Sequence, residues 1–214
     1  NVAVGTVKRW NELKRVPILY SFQLMQIANM AIDYSNFDFK AKDQFFTPLE
    51  TAKYCFSKCI EILELYEDNE ANYNFIEPSA GNGVFFKLLP LDRRFGIDIE
   101  PKSENIVQGD YLEWFPTVDK TKYIVIGNPP FGLRGQLALK FINHSSNFAD
   151  YVCFILPQLF ESDGKGVPRK RVKGLNILHS EKIHTDFLDP DGKIIKVECI
   201  FQIWSKYHLN ANYD

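Results

Sequence analysis

The sequence predicts an α/β protein built on a mostly parallel sheet, and three observations carry that expectation. Short, nearly continuous apolar runs at residues 73–77, 95–99, 123–127 and 151–156 alternate with turns and helical patches. Strands buried on both faces read this way, because helices cover the sheet on either side. Two of these runs stop abruptly, one at the glycine-rich stretch 79–83 and one at Asn128-Pro129-Pro130. The C-terminal stretch 193–205 is β-rich and can fold back on 185–188 across the turn-forming segment 189–192. This adds an antiparallel C-terminal hairpin at one edge of the sheet.

The elements follow in order. Residues 18–34 read as a helix, with Ile18, Phe22, Met25, Asn29 and Ile32 on one stripe and Pro17 in its first turn. A loop over 35–47 leads to a second helix. There Thr47 serves as N-cap, Pro48 takes the first position and Glu50 completes a capping box. That helix runs to about Tyr66, with Ala52, Cys55, Phe56, Cys59, Leu63 and Tyr66 facing inward. A short helix is expected at 84–89, a further strand at 105–107 and a helix at 137–144. We divide the chain into an N-terminal helical extension, 1–40, and one domain, 41–214, with no separate target-recognition domain.

Composition narrows the possibilities. The chain has 214 residues, 45% hydrophobic and 24% charged, as expected of a globular protein. Its net charge of −2 confines any polyanion-binding surface to a local basic face. No apolar run reaches the roughly 18 residues of a membrane span, so no membrane role is expected. The four cysteines, at 55, 59, 153 and 199, lack the spacing of a metal site and read as reduced core residues. That usage points to a reducing compartment, cytoplasmic or nuclear, and no metal is expected.

The chemistry sits at the predicted strand ends. In Glu77-Pro78-Ser79-Ala80-Gly81-Asn82-Gly83, an acid ends a strand and glycines follow that let the backbone approach a ligand closely. Asp98, some 20 residues on, stands where an acid would accept from a ribose hydroxyl pair. No lysine follows the glycines in the phosphate-cradling position of a P-loop. Gly109-Asp110-Tyr111 closes the next strand, where Asp110 could accept from an adenine amino group and Tyr111 cover the ring. Asn128-Pro129-Pro130-Phe131 carries the most information. Two consecutive prolines remove two backbone donors, stiffen the turn and leave its carbonyls available to a ligand.

In this arrangement the chain resembles the gamma-class amino-methyltransferases that act on adenine N6 of DNA, some of which serve restriction–modification. Gln44-Phe45-Phe46-Thr47-Pro48, residues 77–83 with Phe85, residues 96–101, residues 109–111 and residues 128–131 match that family's motifs in order, over roughly residues 40–160. The resemblance implies a Rossmann-like fold that binds S-adenosylmethionine (SAM). It places Thr47 near the methionine carboxylate and Glu77, Ser79, Ala80, Gly81 and Gly83 around the methionine part. Asp98 falls on the ribose, Ile99, Asp110 and Tyr111 on the adenine of the cofactor, and Asn128 beside both cofactor and target. Asn128, Pro129, Pro130 and Phe131 would hold the target base. Phe131 stands where many members carry Tyr, so a stacking face remains without a phenol hydroxyl.

The motif has a physical rationale. An aromatic amine is a poor nucleophile because its lone pair is shared with the ring. If the Asn128 side-chain oxygen and the Pro129 carbonyl accept its N–H bonds, the nitrogen is driven towards tetrahedral geometry. Residues 161–174, with Lys165, Arg169, Lys170, Arg171 and Lys173, read as a mobile basic loop contacting phosphates. Pro157-Gln158-Leu159-Phe160 is expected near the target base. With no target-recognition domain expected, sequence choice falls to the basic loop, the N-terminal helix, a part of the chain outside this sequence or a partner subunit. Adenine methylation in RNA, methylation of a protein glutamine amide and a silent nucleic-acid-binding partner subunit are the alternatives at this point.

Overall fold

The computed structural model describes residues 4–17, 20–21, 24–25, 28, 45–117, 121–162, 164, 166–189 and 192–213. Nine strands are seen among them: β1 (Asn74–Pro78), β2 (Arg94–Asp98), β3 (Val107–Gln108), β4 (Tyr123–Gly127), β5 (Tyr151–Pro157), β6 (Asn176–Ile183), β7 (Asp186–Leu188), β8 (Ile194–Lys196) and β9 (Cys199–Ser205). Seven form one sheet in the order β3-β2-β1-β4-β5-β9-β6. β1 to β5 run parallel, and β9 is antiparallel to both β5 and β6. The chain order reverses between β1 and β4. A crevice therefore opens at the carboxyl ends of these two strands.

The α-helices with defined bounds among the described residues are α1 (Val4–Glu12), α2 (Leu49–Leu65) and α3 (Gln136–Ser145). Side chains alternate along each strand, so each strand feeds two cores. Ile124, Ile126, Tyr151, Cys153 and Ile155 pack with Ala52, Cys55, Cys59 and Leu63 of α2. Val125, Val152, Phe154 and Leu156 pack with Ala138, Leu139, Phe141 and Ile142 of α3. Each fully buried Val, Leu, Ile or Phe side chain among them contributes about 1.5–3 kcal/mol.

Several expectations are corrected in detail. The hairpin 185–188 with 193–205 forms, but away from the sheet edge: β7 and β8 pair as a separate two-stranded sheet. The stretch 193–205 breaks into β8 and β9. Every residue of β9 is buried, because it is bonded on both sides. Its outer neighbour, β6, was not expected; the polar residues of Asn-Ile-Leu-His-Ser-Glu-Lys-Ile blur its alternation. Residues 84–89 form a succession of turns rather than a regular helix. The strand expected at 105–107 is β3, with Asn105 left-handed before it (φ 64). Pro48, not Thr47, is the N-cap of α2. Its carbonyl accepts from the Ala52 N–H at 3.0 Å, and no side chain caps the helix. The helix expected at 18–34 and the loop before residue 45 fall outside the described residues, apart from positions 20, 21, 24, 25 and 28.

All four cysteines are buried, and the Cys59 and Cys153 sulfurs lie 3.4 Å apart between α2 and β5. Among the described residues no helix is long and apolar enough to cross a membrane.

At the amino ends of the strands, Asp68 accepts from the Tyr73 hydroxyl, from the Tyr151 hydroxyl at 2.9 Å and from the Asn69 N–H at 3.0 Å. Burial pushes this carboxyl up, but the two tyrosines, the amide and Lys122 outweigh it and leave it below the usual carboxylate range. A depressed folded value gives stability that is full above the unfolded value and is lost as pH falls through the folded one. Asp68→Asn is therefore expected to flatten the acid limb of stability. Urea midpoints at pH 7 and pH 3 will differ less for the variant than for the parent; an unchanged difference would leave Asp68 without this part.

Candidate functional site

The site is assembled by strand ends that the sheet brings side by side. β1 and β4 pair in parallel, with Ile76 opposite Val125, so Pro78 and Gly127 finish together. A Cβ on Gly127 would lie 3.5 Å from both Glu77 Cγ and the Pro78 carbonyl oxygen. The turn after β1 carries three left-handed residues, Ser79 (φ 54), Gly81 (φ 51) and Gly83 (φ 73). It is fastened to β2: the Ala80 N–H donates to the Ile97 carbonyl at 3.1 Å.

Two carboxyl groups organise this turn, Glu77 buried and Asp98 half-buried. Glu77 accepts from the Phe86 N–H at 2.6 Å. Burial pushes its carboxyl well up, against the pull of the Phe86 and Phe85 amides. Part of its function is thus to hold the chain after the glycines. Asp98 receives the Gly81 N–H on one oxygen and the Glu100 N–H on the other, both at 2.7 Å. Burial raises its carboxyl too, partly offset by these two amides. A carboxylate has about four acceptor positions, so Asp98 retains room for further donors. Ile99 follows it, half-buried. The Gly109 N–H bonds to the Asp98 carbonyl at 2.9 Å and brings the exposed Asp110 alongside.

Tyr111 does not cover this crevice. Its ring is buried against Phe141 and Trp114, and its hydroxyl lies 2.7 Å from Ser145 Oγ on α3. It is a core residue, drawn inward by the short helical turn that Asp110 caps.

Asn128, Pro129, Pro130 and Phe131 leave β4 directly into the crevice. Pro129 is buried, and Phe131 packs against both halves of the core. Asn128 Nδ2 donates to Thr47 Oγ1 at 3.2 Å, while Asn128 Oδ1 is buried without a hydrogen-bond partner among the described residues. Thr47 thereby orients the asparagine amide, a function its residue type alone did not announce. The neighbouring Phe46 ring lies 3.3 Å from where a Cβ on Gly81 would stand. The Phe46–Thr47 pair therefore spans from the glycine turn to Asn128.

A small cavity is lined by Phe45, Asn128, Pro129, Phe131, Phe187 and Val197. Phe187 and Val197 were missed in the sequence. They arrive on the β7–β8 hairpin, which is tied in by Phe46 and Leu188 exchanging two backbone hydrogen bonds, at 2.7 and 3.0 Å. Pro157-Gln158-Leu159-Phe160 does not border this cavity. Phe160 is fully buried, and Gln158 lines a separate groove with Lys182, His184 and Glu198.

Within the basic segment, residues 167–173 are docked on the fold. Arg169–Arg171 form a 3-10 turn after the buried Val167 and Pro168. Asn143 of α3 clamps it, donating to the Arg171 carbonyl at 3.2 Å and accepting from the Lys173 N–H at 2.9 Å. Lys165 lies outside the described residues.

Against known proteins, no sequence-family model matches the chain, and no curated protein does either. Among solved structures, one similar protein is a candidate RNA methyltransferase from Pyrococcus horikoshii. It is 20% identical, with a TM-score of 0.55 over 76% of this chain and 86% of that one. The chain has a Rossmann-like methyltransferase fold. Two further methyltransferase structures are more distant. Magnesium protoporphyrin IX methyltransferase from Synechocystis PCC 6803, solved with bound SAM, is 12% identical (TM-score 0.49; 72% of this chain, 79% of that one). A modification subunit assigned to a type I restriction enzyme of Vibrio vulnificus YJ016 is also 12% identical (TM-score 0.48) and covers 76% of this chain and 44% of that one.

In this methyltransferase fold the exit from the diproline turn depends on Gly132 (φ 65, ψ 179). That region of backbone space is essentially glycine-only. A Cβ there would lie 2.7 Å from Leu137 Cβ and 3.1 Å from the Leu137 nitrogen. Gly132→Ala is expected to cost about 1–3 kcal/mol in urea unfolding. A loss below about 0.5 kcal/mol would mean that the loop adapts freely.

Proposed function

We propose that the chain transfers a methyl group from SAM to the N6 amino group of adenine in a nucleic acid, with DNA the substrate favoured by the motif resemblance. The observation that carries this is the buried, unpartnered Oδ1 of Asn128, placed at a strand end beside an aromatic-walled cavity. An acceptor buried without a donor costs free energy, of order 1–3 kcal/mol. Its persistence there suits an incoming N–H.

The donor set fits SAM. Asp98 has acceptor capacity left for ribose hydroxyls, and Gly81 and Gly83 put no side chain at two positions of the turn after β1. Ile99 would lie along the cofactor adenine and Asp110 would accept from its amino group, while Glu77, Ser79 and Ala80 shape the methionine end. SAM supplies an activated methyl group on a positively charged sulfur.

The chain's own residues do the rest. Asn128 Oδ1 and the Pro129 carbonyl accept the two N–H bonds of the adenine amine and turn its lone pair out of the ring plane. Thr47 fixes the orientation of the Asn128 amide. Pro130 stiffens the turn, and Phe131 stacks on the base, a contact of about 1–3 kcal/mol. In a duplex the adenine leaves the stack to reach this cavity. Arg169, Lys170, Arg171 and Lys173, together with Lys165, supply phosphate contacts, and a partner subunit supplies further target choice.

Incubation with labelled SAM and pooled DNA and RNA, followed by nucleoside analysis, tests this reading. The label is expected on N6-methyladenine. Label on another nucleoside, or on protein alone, would replace it; label in RNA only would change the polymer but not the mechanism.

A further inference from the structure

We infer that Arg134 is a phosphodiester-binding residue, and that the loop after the diproline turn joins the basic turn 169–171 in one cationic lip around the target cavity. This inference rests on the nucleic-acid reading above and extends it to a residue that no motif marks.

Arg134 holds a left-handed backbone (φ 52, ψ 37) between Gly132 and Gly135, themselves at φ 65 and 70. A non-glycine residue there is strained by about 1–2 kcal/mol, although glycine stands on either side of the Leu133-Arg134 pair. Its side chain is exposed and makes no hydrogen bond or ion pair among the described residues. The loop cannot drift, because the Phe131 carbonyl accepts the Leu137 and Ala138 amides at 3.1 and 3.3 Å.

The basic turn packs against this loop. A Cβ on Gly135 would lie 3.5 Å from Pro168 Cγ, and Arg171 Nη1 donates to Gln136 Oε1 at 3.2 Å. The two segments are also free of acids. Residues 131–149 hold Arg134 and Lys140 without an Asp or Glu, and residues 164–180 hold Lys165, Arg169, Lys170, Arg171 and Lys173 without one. In a chain of net charge −2, such segregation creates a local field suited to a polyanion. Phe131 begins the loop and walls the cavity, so a phosphate on this lip belongs to the target nucleotide or its neighbour.

The test is the salt dependence of binding to an adenine-containing single-stranded oligonucleotide, followed by fluorescence anisotropy without cofactor. Arg134→Gly separates charge from fold, because it relieves the left-handed strain while removing the cation. The variant should unfold at or above the parent temperature. It should bind roughly fivefold more weakly near 0.1 M salt, and the slope of log K against log salt should shrink by about one contact, 0.7–1. Arg134→Lys should restore most of the slope, and Arg134→Gln, which keeps a long side chain, should not. Parent-like affinity and slope in Arg134→Gly would overturn the inference. So would absent salt-dependent binding by the parent, or competition by poly-glutamate as strong as by the oligonucleotide. Failure of the adenine reading is distinguishable, since it appears in which nucleoside gains label and not in these binding curves.

Discussion

Asn128→Ala is expected to lower kcat for methyl transfer by about 10²–10³-fold, or about 2.7–4 kcal/mol of transition-state stabilisation, while SAM affinity stays within a few-fold of the parent. The reasoning is geometric. Asn128 Oδ1 is a buried acceptor without a donor among the described residues, and its amide nitrogen is already engaged by Thr47 Oγ1 at 3.2 Å. Removing the side chain deletes an acceptor that acts as the amine becomes tetrahedral, and it leaves the glycine turn and Asp98 in place. Single-turnover rates paired with calorimetric SAM titration separate the two effects. Transfer near the parent rate would show that the amine is oriented by something else. Thr47→Val should follow in the same direction with a smaller loss, because the amide remains but its orientation is freed.

Much of this site was legible because its parts are local. The turn 77–83, Asp98 and the run 128–131 each sit at the end of a strand whose apolar run is continuous, and a parallel sheet must bring such ends to one edge. What escaped the sequence depends on non-local pairing. β6 and β9 are two strands of the main sheet, yet the sequence suggested one edge hairpin. The fully buried β9 needed neighbours on both sides, and the polar β6 gave no clear signal of supplying one. Phe187 and Val197 reach the cavity on a hairpin whose facing is set by a bridge to Phe46. No periodicity within 186–197 encodes that bridge. Tyr111 shows the reverse error: its position in a motif suggested a ligand contact, whereas Ser145, Phe141 and Trp114 offered its ring and hydroxyl a buried place. Thr47 fits a helix-capping pattern, but its hydroxyl serves Asn128, and Pro48 takes the cap without any side-chain bond.

Asp98→Ala is expected to act on the other half of the site, weakening SAM binding by about 100-fold or more while the fold persists. Asp98 does two things at once. It receives the Gly81 and Glu100 amides at 2.7 Å each and, in the proposed function, the ribose hydroxyls of the cofactor. Losing hydrogen bonds to a charged acceptor costs about 1.5–3 kcal/mol each, so two ribose contacts give the expected loss, and freeing the Gly81 amide adds to it. Asp98→Asn is informative because its amide keeps the shape but offers one oxygen where two amide donors converge, so one N–H meets another. It should bind SAM nearly as poorly as the alanine variant. The pH dependence follows from burial, which raises the Asp98 carboxyl above the ordinary range. The folded protein then takes up its proton at a higher pH than the unfolded chain, so this group's contribution to stability is greatest below the unfolded value and is lost as pH rises through the folded one. SAM binding runs the opposite way, since the ionised form has the acceptors, and affinity should fall as pH drops through the raised value. Titration from neutral pH downwards should show that fall in the parent and a flat, weak profile in Asp98→Asn. Equal slopes in both would move the ribose contact to another acid.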